Sequence, residues 1–155
     1  MGVVIPFIWI FVIGSIVFLR NWNLRNKIHL FLSEINGLKI LKIPEINCVT
    51  STLGSKNFSL LFRKCDLYIM QDYIVIIGKP TYKFSRQIYK PIIISKDTTG
   101  LMTKFPVAII ETIDRMWFNK KGEFSIGFGT PVRTKVEIRF KDLTNIQVEF
   151  LQKCI

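Results

Sequence analysis

The stretch CDLYIMQDYIVIIG, residues 65–78, decides the fold of this chain. Its first half alternates, so that Cys65, Leu67 and Ile69 share one face of a strand. Its second half is an apolar strand that ends at Gly78. Gln71 and Asp72 lie between the two halves, and a connection this short joins only antiparallel strands. The stretch therefore predicts a β-hairpin.

Strand-type runs continue on both sides of this hairpin. They cover Leu38–Ile43, Phe58–Arg63, Pro91–Ser95, Val107–Phe118, Glu123–Phe128 and Lys135–Phe140. The stretch 45–57 is rich in turn residues and predicts a loop. The alternation of the longest run slips near Glu111, which predicts a bulge.

The chain ends with a predicted amphipathic helix, and Asp142 is the predicted cap of this helix. Its apolar stripe consists of Leu143, Ile146, Phe150 and Leu151. A long meander of short strands curls into a barrel or sandwich, and a terminal helix covers an open end. The predicted fold is therefore mainly β, with a seven-stranded antiparallel barrel or sandwich capped by a C-terminal α-helix.

The sequence of residues 65–78 resembles the early hairpin of GRAM and bacterial pleckstrin-homology-like (PH-like) domains. The strand and helix from Lys135 to Cys154 are similar to the way in which such domains end. The resemblance implies a PH-like β domain over residues 38–155. Phosphoinositide-binding relatives carry spaced basic residues around a roomy first loop, whereas here Arg63 and Lys64 are followed at once by Asp66. The resemblance thus implies the fold and not phosphoinositide binding.

The beginning of the chain carries no charged side chain before Arg20. As a helix this run approaches the ~30 Å of a bilayer's hydrocarbon core, so it predicts a transmembrane helix over residues 1–20. The basic residues that follow predict a single-pass membrane protein with the N-terminus outside and the C-terminal domain in the cytoplasm. A cleaved signal and a buried core helix are the alternatives. The predicted anchor residues are Ile5, Phe7, Trp9, Phe11, Val12, Ile16, Phe18 and Leu19.

Residues 21–37 change to a one-sided pattern. Their apolar side chains recur at helical spacing, at Leu24, Ile28, Phe31, Leu32 and Ile35. This pattern predicts an amphipathic juxtamembrane helix that lies either on the membrane surface or on the β domain.

The net charge is +11, from 22 basic and 11 acidic residues. This excess indicates an anionic partner, such as the lipid bilayer or an acidic protein, or else a lysine-rich solvated surface. Nucleic acid is the least suited partner, because no recognition motif is present. The candidate contacts with anionic lipid or an acidic partner are Arg20, Arg25, Lys27, Lys79, Lys83, Arg86 and Lys90.

No catalytic constellation emerges from the sequence. A single histidine excludes a His-based metal site, and three widely spaced cysteines predict buried thiols in a reducing compartment. Glu111 and Asp114 are three residues apart on a predicted strand, which puts them on opposite faces. We therefore expect no enzyme activity, no cofactor and no small-molecule substrate.

Together these observations predict a membrane-anchored binding or adaptor domain that contacts a protein partner or the anionic membrane surface. One alternative is a small immunity or inhibitor protein that neutralises a membrane-acting partner. A secreted barrel that holds an apolar ligand is a third class.

Overall fold

The computed structural model describes the backbone of residues 4–53, 62–80, 88–118, 123–129 and 135–154, and the side chains of residues 9–52, 62–80, 88–118, 123–129 and 135–153. The elements in chain order are α1 (Val4–Leu38), β1 (Leu41–Leu53), β2 (Lys64–Ile69), β3 (Tyr73–Lys79), β4 (Ile92–Ser95), α2 (Leu101–Lys104), β5 (Ile109–Phe118), β6 (Phe124–Phe128), β7 (Lys135–Phe140) and α3 (Asn145–Cys154).

The seven strands form a closed barrel in sequence order, in which β1 pairs with both β2 and β7. The predicted mainly β fold with seven strands and a C-terminal helix is confirmed. The prediction that all strands are antiparallel is wrong, because β4 and β5 are parallel from Ile92 beside Ile109 to Ser95 beside Thr112. Parallel neighbours need a crossover connection, and the segment that contains α2 supplies it.

The predicted loop over residues 45–57 is wrong for residues 45–53, which belong to strand β1. The strand continues through this point because a bulge between Ile43 and Ile46 takes up Pro44, which has no N–H to give to the ladder. Glu45 in this bulge has a φ of 54°. The first part of β1 pairs with β2, and the part after the bulge turns to pair with β7.

Two other strand predictions differ from the structure. Of the predicted strand 58–63, residues 58–61 lie outside the described residues, while Phe62 and Arg63 precede β2 without belonging to a strand. Residues 119–122, which join the predicted strands Val107–Phe118 and Glu123–Phe128, also lie outside the described residues. The bulge in β5 is present, but it falls between Ile113 and Arg115 rather than near Glu111.

The barrel interior is filled by the inward faces of all seven strands. Stacked rings of Phe118, Phe124 and Phe140 lie at centroid distances of 4.6 and 5.8 Å. Leu143 and Leu151 from the C-terminal segment belong to the same buried cluster. Helix α3 therefore covers part of the interior, as the sequence predicts.

The cap of α3 is Thr144 and not the predicted Asp142. The Thr144 side chain accepts a hydrogen bond from the N–H of Gln147 at 3.3 Å, and the Gln147 side chain accepts one from the N–H of Thr144 at 2.9 Å. This reciprocal pair is a capping box. Asp142 instead lies two residues after the end of β7 and has a φ of 61°.

A second cluster covers the outer face of one half of the barrel. The second half of α1 places Phe31 and Ile35 against Tyr68, Val75 and Phe105. Strands β3 and β4 are buried on both faces for this reason, which explains their uninterrupted apolar runs. Of the two predicted positions for the amphipathic helix, the structure shows packing on the β domain.

Helix α1 is continuous across the predicted boundary between residues 20 and 21. Within the part of the chain that the structure describes, no helix has the length and apolar character needed to cross a membrane. This finding contradicts the predicted single-pass localisation with an outer N-terminus and a cytoplasmic domain.

Candidate functional site

The first half of α1 carries the largest exposed apolar surface among the described residues. We call Trp9–Trp22 the apolar segment. Its exposed large apolar side chains are Trp9, Ile10, Phe11, Val12, Ile13, Ile16, Val17, Phe18, Leu19 and Trp22. Phe11 is 77% exposed and Ile10 68%. The predicted anchor residues Ile5 and Phe7 lie outside the described side chains, and the other six are all in this segment.

The apolar side chains of this segment lie on all sides of the helix instead of forming a stripe. Consecutive residues from Trp9 to Ile13 are exposed, and they point in all directions around the axis because a helix turns by 3.6 residues. A helix that packs on a barrel with one face leaves only the opposite, polar face to water. The segment therefore needs a partner that covers several sides at once.

Basic side chains begin within the last turn of the apolar segment and continue beyond it. Arg20, Arg25 and Lys27 are exposed, and no acidic residue precedes Glu34 in the sequence. Three of the predicted basic contacts thus lie on the same helix as the apolar segment. Phe18 and Trp22 lie next to each other here, with ring centroids 6.1 Å apart.

A cleft lies where α1 meets the barrel. It has a volume of about 280 Å³, and it is lined by Lys27, Leu30, Phe31 and Glu34 of α1 and by Lys104, Phe105, Pro106 and Val107. Phe31 and Phe105 form its apolar floor, with their rings edge to face at 5.4 Å. The Lys104 ammonium lies 5.1 Å from the Phe105 ring centroid. We call this the helix–barrel cleft.

Glu34 contributes negative charge at one side of this cleft. Burial raises the pKa of the nearby Tyr73 hydroxyl, and the charges of Glu34 and Asp72 raise it further. The two lysines are the cationic part of the cleft.

Of the predicted contacts Lys79, Lys83, Arg86 and Lys90, the structure describes Lys79 and Lys90. Lys79 ends β3, where its ammonium pairs with Asp66 at 3.0 Å and Glu45 at 3.2 Å. Burial opposes the charge on Lys79, but these hydrogen bonds outweigh it and raise the pKa. Lys83 and Arg86 lie outside the described residues, and Lys90 is exposed. Lys79 therefore stabilises the β1 bulge, and its charge is already matched.

The aromatic residue Tyr89 lies just before β4. Tyr89 is buried, and its ring meets Phe62 edge to face at 5.6 Å. Burial raises the pKa of the Tyr89 hydroxyl. This ring belongs to the barrel core.

The carboxylates and thiols of the described residues do not assemble into a reactive centre. Among these residues no group of three or more His, Cys, Asp or Glu side chains is placed to hold a metal ion. Cys48 and Cys65 are free and buried in the barrel core. A hydrogen bond with Cys48, together with burial, raises the pKa of the Cys65 thiol, which disfavours the reactive thiolate.

A second concave surface, of about 420 Å³, is lined by residues of β1, β5, β6 and β7. The charges of its lining are balanced, because Asp114 and Glu137 are matched by Arg115 and Lys135. Arg115 lies 3.8 Å from Asp114. This surface therefore lacks the excess of positive charge that α1 carries next to its apolar segment.

Sequence reasoning missed Lys104 and the cleft beside it. The local signal is present, since Gly100 and Pro106 bracket a short helical stretch that ends in Lys104. Its position at the same cleft as Lys27 depends on the crossover to a parallel strand, which the predicted antiparallel order excludes.

Comparisons with protein-family models, with curated proteins and with solved structures found no match to this chain. The resemblance to GRAM and PH-like domains therefore stays a prediction.

Proposed function

We propose that this chain is a non-enzymatic binding module that attaches peripherally to an anionic lipid surface through the apolar segment of α1. Attachment of this kind requires no helix that crosses the membrane. The observation that carries the proposal is the exposure of large apolar side chains on every side of the helix from Trp9 to Leu19.

The acyl region of a lipid layer matches this surface. Covering apolar area is worth about 25 cal/mol per Å², so each fully covered Phe or Ile side chain contributes roughly 1.5–3 kcal/mol. Lipid chains adapt to all sides of a helix, whereas one rigid protein face covers only part of it. Immersion of the segment from Trp9 onward therefore removes the most apolar surface from water.

The basic residues supply the second attachment signal. Arg20, Arg25 and Lys27 lie at the end of the segment that faces the barrel, and each is worth about 1 kcal/mol next to an anionic leaflet. Trp22 lies among them, and indole side chains favour the headgroup level. Apolar immersion combined with basic headgroup contacts gives stable attachment where either alone is weak.

The barrel is the part that this attachment would present to other molecules. We propose that it is PH-like, on the strength of seven strands in a closed barrel and a C-terminal helix packed into the interior cluster. The parallel pairing of β4 and β5 departs from the expected antiparallel order. An adaptor role for its free faces follows from this proposal.

Vesicle cosedimentation of the full-length chain tests the function. The chain is expected to bind phosphatidylcholine vesicles that contain phosphatidylglycerol more tightly than vesicles of phosphatidylcholine alone, and added salt should reduce the difference. Phe11→Ser should weaken binding by about tenfold or more, because it removes a side chain that lipid would cover. It should leave folding unchanged, since Phe11 contacts solvent.

Val49→Ser is the matched control, because Val49 is an exposed apolar residue on the barrel. It should bind vesicles as the unaltered chain does. Failure of the unaltered chain to bind either vesicle type, or equal losses for the two variants, would contradict the proposed function. Capture of a protein partner without vesicle binding would favour the protein-directed alternative.

A further inference from the structure

We infer that the helix–barrel cleft holds one anionic glycerophospholipid of the surface to which the chain attaches. The phosphate would lie between Lys27 and Lys104, and part of one acyl chain would lie on the Phe31 and Phe105 floor. This inference rests on the proposed function and names the lipid class that the attached chain selects.

The lining of the cleft has the two kinds of surface that such a lipid needs. Leu30, Phe31, Phe105, Pro106 and Val107 are apolar, and Lys27 and Lys104 supply ammonium groups from the helix side and the barrel side. A volume of about 280 Å³ is at the lower limit for small-molecule sites, so it has room for a segment of one acyl chain and not for a whole lipid. The remainder of the lipid would stay in the layer.

The position of the cleft agrees with the proposed attachment. Lys27 is less than two turns from Trp22, so the cleft begins where the apolar segment and its basic residues end. Leu30, 68% exposed, lies at the cleft itself, and Met102, 66% exposed, is in the short helix that ends in Lys104. These exposed apolar side chains continue the lipid-facing surface from α1 onto the barrel.

The acidic side chain of the cleft orients the lipid. Glu34 also lines the cleft and carries its negative charge. Repulsion from Glu34 would place the phosphate at the side of the two lysines. The phosphate would therefore contact the two lysines at one side of the cleft, and the acyl chain would occupy the apolar remainder.

Filling the cleft without changing the charge separates a bound lipid from a diffuse basic surface. Val107→Phe places a ring in the cleft, and it should weaken binding of the full-length chain to phosphatidylglycerol-containing vesicles by about fivefold, the value of one lysine–phosphate contact. Lys104→Gln should have a similar effect. The double variant should bind as Val107→Phe does, because an excluded phosphate no longer gains from Lys104.

Three controls make the outcome decisive. Val49→Phe adds the same ring elsewhere on the barrel, and Lys153→Gln removes an exposed lysine of α3; both should bind normally. Leu30→Trp blocks the cleft from the helix side and repeats the test should Val107→Phe fail to fold.

Normal vesicle binding by folded Val107→Phe and Leu30→Trp would overturn the inference. So would a double variant whose loss of affinity equals the product of the losses of Val107→Phe and Lys104→Gln. If Phe11→Ser still abolishes binding in that case, the proposed attachment survives and only the cleft is refuted. An unaltered chain that binds no vesicles overturns both.

Discussion

Gly78 shows how closely a single position is fitted in this barrel. It pairs with Cys65 across the β2–β3 ladder, and a Cβ at this position would come within 2.5 Å of the Phe62 ring. Phe62 is buried, so its ring has little room to move. Gly78→Ala should therefore lower the free energy of unfolding by about 1–3 kcal/mol. Urea unfolding measures this change, and an unchanged midpoint would show that the Phe62 ring moves freely.

Lys79 gives a prediction about pH. Its folded-state pKa is raised above the ordinary value of 10.5, so its stabilisation is complete below that value and is lost as pH rises through the folded-state pKa. At neutral pH, Lys79→Gln should cost about 1 kcal/mol or less, because the side chain is partly exposed. The difference in unfolding free energy between this variant and the unaltered chain should vanish at strongly alkaline pH.

Lys79→Arg is the control for this titration, since arginine stays charged at alkaline pH. It should retain its advantage over Lys79→Gln where the unaltered chain loses it. A difference between the unaltered chain and Lys79→Gln that persists at alkaline pH would mean that packing of the lysine stem, and not its charge, stabilises the β1 bulge.

At the scale of elements, α1 combines two environments in one helix. Its second half packs Phe31, 4% exposed, onto the barrel, whereas the neighbouring Leu30 is 68% exposed. Phe31→Ala should lower the free energy of unfolding by roughly 3–5 kcal/mol, because it leaves a cavity beside Phe105. Leu30→Ala should change it by less than about 0.5 kcal/mol. Similar effects of the two substitutions in urea unfolding would contradict the packing of α1 on the barrel.

The strands differ in how well their sequences predict them. In β7, the inward residues Val136, Ile138 and Phe140 alternate with charged residues. The alternation predicts this strand correctly because its outer face is partly exposed to water and therefore polar. Strand β4 is apolar throughout because the barrel core covers one face and the cluster with α1 covers the other. Its parallel pairing with β5 depends on a crossover connection, which the local spacing of apolar residues does not predict. The sequence predicts an interruption of β1 because Pro44 and Glu45 resemble a turn, whereas the structure accommodates them in a bulge.

For the whole molecule, the basic group near the apolar segment could be read from the sequence, whereas the cleft could not. Arg20, Arg25 and Lys27 follow the apolar run directly, and their proximity requires only a helix. Lys27 and Lys104 are far apart in the chain, and only the packing of α1 on the barrel brings them to one cleft. The charge of Lys79 could not be assigned to a structural role without its partners from β1 and β2.

The three tryptophans allow the most direct measurement of the proposed attachment. Trp9 and Trp22 lie at the two ends of the apolar segment, and Trp117 is on the half of the barrel that α1 leaves uncovered. Variants that retain one tryptophan each are mixed with phosphatidylglycerol-containing vesicles whose acyl chains are brominated, and the quenching of fluorescence is recorded. We predict strong quenching of Trp9, weaker quenching of Trp22 at the headgroup level, and none of Trp117. Absence of quenching at Trp9, or quenching of Trp117 as strong as that of Trp9, would contradict attachment through α1.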